Sequence, residues 1–205
     1  MIDHLVYATP DLDASIDDLE TRLGVRAAIG GQHPGLGTRN ALLSLGERQY
    51  LEIIGPDPLQ PHHAEPRWFS IDTLTTPKLA TWAEACDDLD ALRLHARRAG
   101  LVLGDVSGGK RMRPNGQLLS WHVTSPFTVI ENGLIPFFID WGASARPSQH
   151  APTGLTLVSL RVKHPKPAKI KRAYNVLGVD VTVRRGKTPS ITAMLDTPNG
   201  LVRLR

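Results

Sequence analysis

One order of apolar and polar positions recurs three times along the chain: a short strand-like run, an amphipathic stretch, a glycine, then another strand-like run. The first pass covers Ile2 to Ala8, Leu12 to Leu23, Gly24 and Val25 to Ile29. The second covers Leu79 to Cys86, Leu89 to Ala99, Gly100 and Leu101 to Val106. A looser third covers Leu155 to Lys163, Ala168 to Leu177, Gly178 and Val179 to Val183. The tetrapeptide Asp11-Leu12-Asp13-Ala14 returns as Asp88-Leu89-Asp90-Ala91, displaced by 77 residues. Asp11 and Asp88 are predicted N-caps, because a short carboxylate accepts the free amide hydrogens of a first helical turn. The three glycines suit the left-handed cap that closes a helix.

Two further strands follow in each pass. They are Ala41 to Leu45 and Gln49 to Ile54, then Gln117 to Thr124 and Leu134 to Trp141, then Ile191 to Leu195 and Leu201 to Leu204. Tight turns join the first pair at Gly46-Glu47-Arg48 and the third at Thr197-Pro198-Asn199-Gly200. The repeated unit is therefore βαβββ, and the fold class is α+β. A unit this small cannot bury its own sheet face, so the modules must pair. The expected boundaries are a first module over 1–56, a linker over 57–78, a second module over 79–142, a linker over 143–153, and a third, degenerate module over 154–205.

Composition narrows the class of protein. Hydrophobic residues are 41% and charged residues 21%, an ordinary globular balance. Aromatics are only 5%, so the core must rest on Leu, Val, Ile and Ala. The formal charge is +4, but the basic residues are scattered and accompany no nucleic-acid-reading motif, so no nucleic-acid partner is expected. No apolar stretch approaches the ~20 residues that span a bilayer, and the N-terminus reads as a strand and not a signal peptide. A cytoplasmic protein with no membrane partner is expected. The single cysteine, Cys86, ends a strand and reads as a small buried apolar residue.

Three segments carry a resemblance. Ile2-Asp3-His4-Leu5-Val6-Tyr7, the run Gly31 to Asn40, and Tyr50-Leu51-Glu52-Ile53-Ile54-Gly55 resemble the glyoxalase-like domain family of the vicinal-oxygen-chelate superfamily. Arg113-Pro114-Asn115-Gly116, Leu118-Leu119-Ser120-Trp121 and Phe137 to Gly142 resemble its later motifs. The resemblance implies paired modules closing a cupped, open mixed β-barrel with helices outside, built around a divalent metal ion: zinc, iron, manganese, nickel or cobalt. It also implies that ligands come from the first and last strands of each module. Known chemistries of the superfamily include isomerisation, epimerisation, extradiol ring cleavage and thiol transfer to epoxides, and some members only bind a drug or toxin.

Candidate residues follow from both readings. Strand alternation separates His4 and Val6 from Asp3, Leu5 and Tyr7, which leaves His4 to face the concave side. A neutral imidazole ligates borderline divalent ions. Glu52 lies in an apolar run, where a carboxylate is costly unless paired, exposed or bound to a metal. By resemblance His4 and Glu52 are metal ligands, with Asp140 in the corresponding strand of the second module. Counting back from Gly55 and Gly142 instead pairs Glu52 with Ile139. The 77-residue offset puts Thr81, a poor ligand, opposite His4, so His122 is the candidate to complete the set. Glu52 and His33 are the candidate acid–base residues, since an imidazole titrates near neutrality. Arg111, Arg113, Arg39 and Asn40 are candidate substrate binders, the arginines through bidentate contacts to a carboxylate. His62-His63 sits in a proline-rich linker, with side chains pointing apart, and is set aside. The third module offers Ser159 and Arg203 at the ligand positions, so it reads as structural, covering a sheet edge or forming a homodimer interface.

The leading expectation is a metal-dependent lyase or isomerase, with a small oxygenated substrate chelated through two oxygens and anionic if the arginines bind it. A metal-free binding or sequestration protein is the alternative, favoured by Thr81. An extradiol-type dioxygenase is a further one, needing two histidines and a carboxylate.

Overall fold

The computed structural model describes residues 1–61, 66–112 and 118–205, with side-chain surroundings for all of these except Arg111 and Met112. The first module consists of β1 (Ile2–Ala8), α1 (Leu12–Leu23), β2 (Ala28–His33), β3 (Thr38–Ser44) and β4 (Tyr50–Pro56). The second consists of β5 (Lys78–Ala85), α2 (Leu89–Arg98), β6 (Val106–Met112), β7 (Leu118–Thr124) and β8 (Phe137–Asp140). The third consists of β9 (Thr156–His164), α3 (Pro167–Leu177), β10 (Thr182–Arg185), β11 (Ser190–Thr197) and β12 (Gly200–Leu204).

Helix α1 forms where Leu12, Ile16, Leu19 and Leu23 share one buried face, at helical spacing. The Asp11 carboxylate accepts the Ala14 N–H at 3.0 Å, and Gly24 closes the helix at φ 76°. Asp88 caps α2 in the same way, accepting the Ala91 N–H at 2.9 Å. The end of α2 differs from the sequence expectation. Ala99 is the cap, Gly100 follows at φ 78°, and Leu101 to Asp105 forms no strand. The cause is local: Leu103 is buried, and Arg93 ties the segment back to α2 by donating to the Gly104 carbonyl and the Asp105 carboxylate.

The first two modules merge into one curled, open eight-stranded sheet ordered β2-β3-β4-β1-β5-β8-β7-β6. Each contributes four strands in mirror order. The seam is the antiparallel pair β1–β5, while β1–β4 and β5–β8 run parallel. Period-two alternation sorts the side chains. Leu5, Tyr7, Leu43, Leu51 and Ile53 join the core under α1, while His4, Leu42 and Glu52 line a cavity on the concave side.

The third module keeps the βαβββ element order but not the pairing. Its sheet runs β10-β9-β11-β12, so its first strand lies between two others and is bonded parallel to β10 and antiparallel to β11. In the first module the equivalent strand pairs with the last one. The third module is no detached domain. Leu160, Val162, Ile170, Tyr174 and Leu195 belong to the same buried core as Leu5 and Leu19, and the Tyr174 hydroxyl donates to the Leu134 carbonyl at 2.6 Å. Among the described residues no helix is long and apolar enough to cross a membrane.

Candidate active site

The site begins with an irregularity in β1. Ile2 pairs with Glu84 and His4 with Ala83, so Asp3 is an extra residue on its strand. Such a bulge re-aims a side chain. Simple alternation would separate Asp3 from His4, yet Asp3 Oδ1 lies 2.8 Å from His4 Nδ1. Asp3 is wholly buried and is held by an ion pair with Arg146 and by the Trp141 indole, whose Nε1 donates at 3.1 and 3.2 Å. A carboxylate on Nδ1 fixes the ring and selects the tautomer with the proton there, leaving the Nε2 lone pair for the cavity.

Glu52 stands between two imidazoles. Its Oε2 is 3.8 Å from His4 Nε2, and its Oε1 is 3.8 Å from His33 Nε2. The Asn40 amide donates to Glu52 Oε1 at 2.6 Å, while Asn40 Oδ1 accepts the Gly31 N–H at 3.0 Å. His33 Nδ1 is 2.9 Å from the Thr38 hydroxyl, which directs its Nε2 toward Glu52. The close approach of β2 needs glycine: a Cβ on Gly30 would fall 2.3 Å from Asn40 Oδ1. A carboxylate this buried requires compensation. The Asn40 hydrogen bond and the two imidazoles supply it.

The walls are aromatic. Of the chain's four Trp, three Tyr and four Phe, six line this one cavity: Tyr50, Trp68, Phe69, Trp121, Phe137 and Trp141. That density makes the surroundings of Glu52 largely apolar, which strengthens electrostatics there. Tyr50 stacks on His4 at 4.6 Å, Phe137 meets His4 edge-on at 5.5 Å, and Trp68 covers His33 at 5.2 Å. The cavity volume is about 50 Å³, and a second cavity of about 130 Å³ shares Phe69, Pro126 and Phe137 with it.

The structure gathers His4, His33, Asn40 and Glu52 around one cavity and leaves other expected residues outside it. His122 and Asp140 are register partners on β7 and β8, but it is their neighbours Trp121, Val123 and Ile139 that line the cavity. Alternation therefore turns both away. His122 is exposed, and Asp140 accepts the Gly142 N–H at 2.7 Å. Ile139 stands where a second carboxylate was sought. Arg39 is turned toward α1 and pairs with Asp13 at 2.7 Å. Thr81 lines the neighbouring cavity, and the strand partner of His4 is Ala83. Arg113, His62 and His63 lie outside the described residues, as does the Arg111 side chain.

Among the described residues no group of three or more His, Cys, Asp or Glu side chains could hold a metal ion. Sequence reasoning also missed Asp3, Tyr50, Trp68, Phe137, Trp141 and Arg146. The bulge that recruits Asp3 leaves no sequence mark. The aromatic walls did leave one, since a chain poor in aromatics places them near Glu52 and Asp140.

Two βαβββ units are joined into one cupped sheet, with histidines and a buried carboxylate lining a cavity on its concave side. The chain belongs to the glyoxalase-like domain family, whose profile matches residues 2–178. A hypothetical protein from Staphylococcus aureus shares the fold at a TM-score of 0.65 and 14% identity, over 98% of this chain and 83% of that one. Methylmalonyl-CoA epimerase from Streptomyces coelicolor, solved with 2-nitronate-propionyl-CoA, is 19% identical over 72% of this chain and 98% of that one, at a TM-score of 0.46. The Mycobacterium tuberculosis epimerase is 21% identical over 68% and 85%, at 0.39. No curated protein is similar enough in sequence to count as a relative.

Proposed function

We propose that the protein is an enzyme of the isomerase or lyase type that moves a proton at a carbon beside a carbonyl, in a small oxygenated molecule. The observation that carries this reading is Glu52, a buried carboxylate with an imidazole on each oxygen at 3.8 Å. Glu52 takes the proton from carbon as general base. His33 and His4, whose Nε2 atoms flank Glu52, accept or relay that proton. Asn40 holds Glu52 in place through its 2.6 Å hydrogen bond. The aromatic walls exclude water from the carbanion-like intermediate. The test is deuterium exchange at carbons adjacent to carbonyls, followed by NMR in D₂O over a panel of 2-oxo and 2-hydroxy acids. Exchange with wild-type protein and its loss in Glu52→Gln supports the reading. Exchange with none of the panel, or equal exchange in the variant, contradicts it.

A metal-dependent form of the same chemistry is favoured by one observation, the Asp3–His4 pair at 2.8 Å. Metal-bound histidines customarily donate their other ring nitrogen to a carboxylate. His4, Glu52 and His33 are the side chains that would have to close on an ion. Calorimetric titration with zinc, manganese and nickel separates the two forms: stoichiometric binding lost in His4→Ala supports the metal-dependent one, and no binding removes it.

A further inference from the structure

The segment Trp68–Thr73 forms a wall that the proton-transfer chemistry does not account for. Trp68 lines the Glu52 cavity, and its indole Nε1 is buried without a hydrogen-bond partner among the described residues. Buried donors are nearly always satisfied, so an orphan in a cavity wall marks the place of an absent acceptor. The backbone beside it is strained. Phe69 and Ser70 hold φ of 56° and 59°, and across the second cavity Glu131 and Asn132 hold 51° and 57°. These are the non-glycine residues at positive φ among the described ones. Strain of this kind persists where surrounding structure enforces it, and it concentrates at ligand sites. Here Phe69, Ser70 and Asn132 line the second cavity, which shares Phe69, Pro126 and Phe137 with the first.

The two chambers differ in charge. The first contains the Glu52 carboxylate. The second has Lys78 at its exposed rim and no acidic residue in its lining. Lys78 forms no ion pair among the described residues. Of the acids near the strained segments, Glu131 is engaged by Lys169 and His164, and Asp72 pairs with Arg67. Lys78 thus offers a distal anionic group a cation at the second chamber, whereas the first sets two imidazoles beside the Glu52 carboxylate.

We propose that the bound molecule is two-ended: a carbonyl end at Glu52, with an oxygen accepting the Trp68 indole N–H, and a carboxylate end beside Lys78 in the adjoining chamber. This deepens the proton-transfer reading and rests on it only for the nature of the carbonyl end. The substrate class it defines is an oxo acid whose second carboxylate lies several bonds from the reacting carbon.

The experiment is calorimetric binding of 2-oxo dicarboxylates of graded chain length, beside 2-oxo monocarboxylates of matching length, to wild type, Trp68→Phe and Lys78→Gln. Trp68→Phe keeps a ring and removes the N–H, and Lys78 is a surface residue, so both variants retain the fold. The dicarboxylates should bind about tenfold more tightly at the length that spans both chambers, as expected for one charge-assisted contact. Lys78→Gln should erase that preference, and Trp68→Phe should weaken both series. Equal affinity of the two series, a preference surviving Lys78→Gln, indifference to Trp68→Phe, or no binding by any member overturns the proposal. Glu52-dependent exchange with equal binding of the two series would leave the proton-transfer reading standing and sink the two-ended ligand. A Lys78-dependent preference without Glu52-dependent exchange would do the reverse.

Discussion

At the scale of single residues, the site depends on one carboxylate orienting one imidazole. Asp3 is fully buried, and its charge is matched by Arg146, so its loss is both electrostatic and structural. Asp3→Asn keeps the volume but can present its amide to His4 Nδ1, favouring the wrong tautomer. Exchange activity should fall by about 100-fold, within the range of positioned acid–base groups, and the thermal midpoint should drop as well, because Arg146 loses its partner. Unchanged activity in a folded Asp3→Asn protein would mean that His4 needs no orienting partner. Cys86 gives a second check at this scale. Burial pushes its thiol pKa up, and the nearby acids Asp87, Asp88 and Asp140 push the same way, against a hydrogen bond from the Asp88 backbone. The thiolate is the reactive form, so alkylation by iodoacetamide at neutral pH should be slower than for a free thiol and should speed up as pH rises. Rapid labelling at neutral pH in the folded protein would contradict that environment.

At the scale of elements, strand parity explains which expectations the structure met. Helix positions, caps and most strands were legible because apolar spacing and capping chemistry are local. The facing of each strand was legible in the first module, where Glu52 and His4 fall on the concave side together. In the second module the side of β7 and β8 depends on how they join β5, which no local pattern records. Trp121 and Ile139 therefore occupy the cavity, and His122 and Asp140 do not. The bulge at Asp3 was invisible for the same reason, because it is a property of pairing with β5. Gly30 tests this packing directly. A Cβ there would press to 2.3 Å from Asn40 Oδ1, the atom that accepts the Gly31 N–H. Gly30→Ala should displace Asn40 from Glu52 and lower exchange activity more than it lowers the melting temperature; the converse ordering would show that the close approach serves stability alone.

At the scale of the whole molecule, two modules make the cup and the third shares their core. Tyr174 anchors that union: its hydroxyl donates to the Leu134 carbonyl, and burial drives its pKa upward. Tyr174→Phe leaves that carbonyl without its donor and should destabilise the protein by about 1–3 kcal/mol in chemical denaturation, with site chemistry unaffected. The recurrence of βαβββ was legible in the sequence. The rearranged strand order of the third module was not, because element order does not determine which strands pair. The central claim is that chemistry occurs at the carboxylate between His4 and His33, and not at the equivalent place in the second module. Side-by-side deuterium exchange by Glu52→Gln and Asp140→Asn tests it most directly. The account predicts a loss of at least about 100-fold for Glu52→Gln and wild-type rates for Asp140→Asn. Wild-type exchange in Glu52→Gln, or its collapse in a folded Asp140→Asn, would place the chemistry elsewhere and contradict the account.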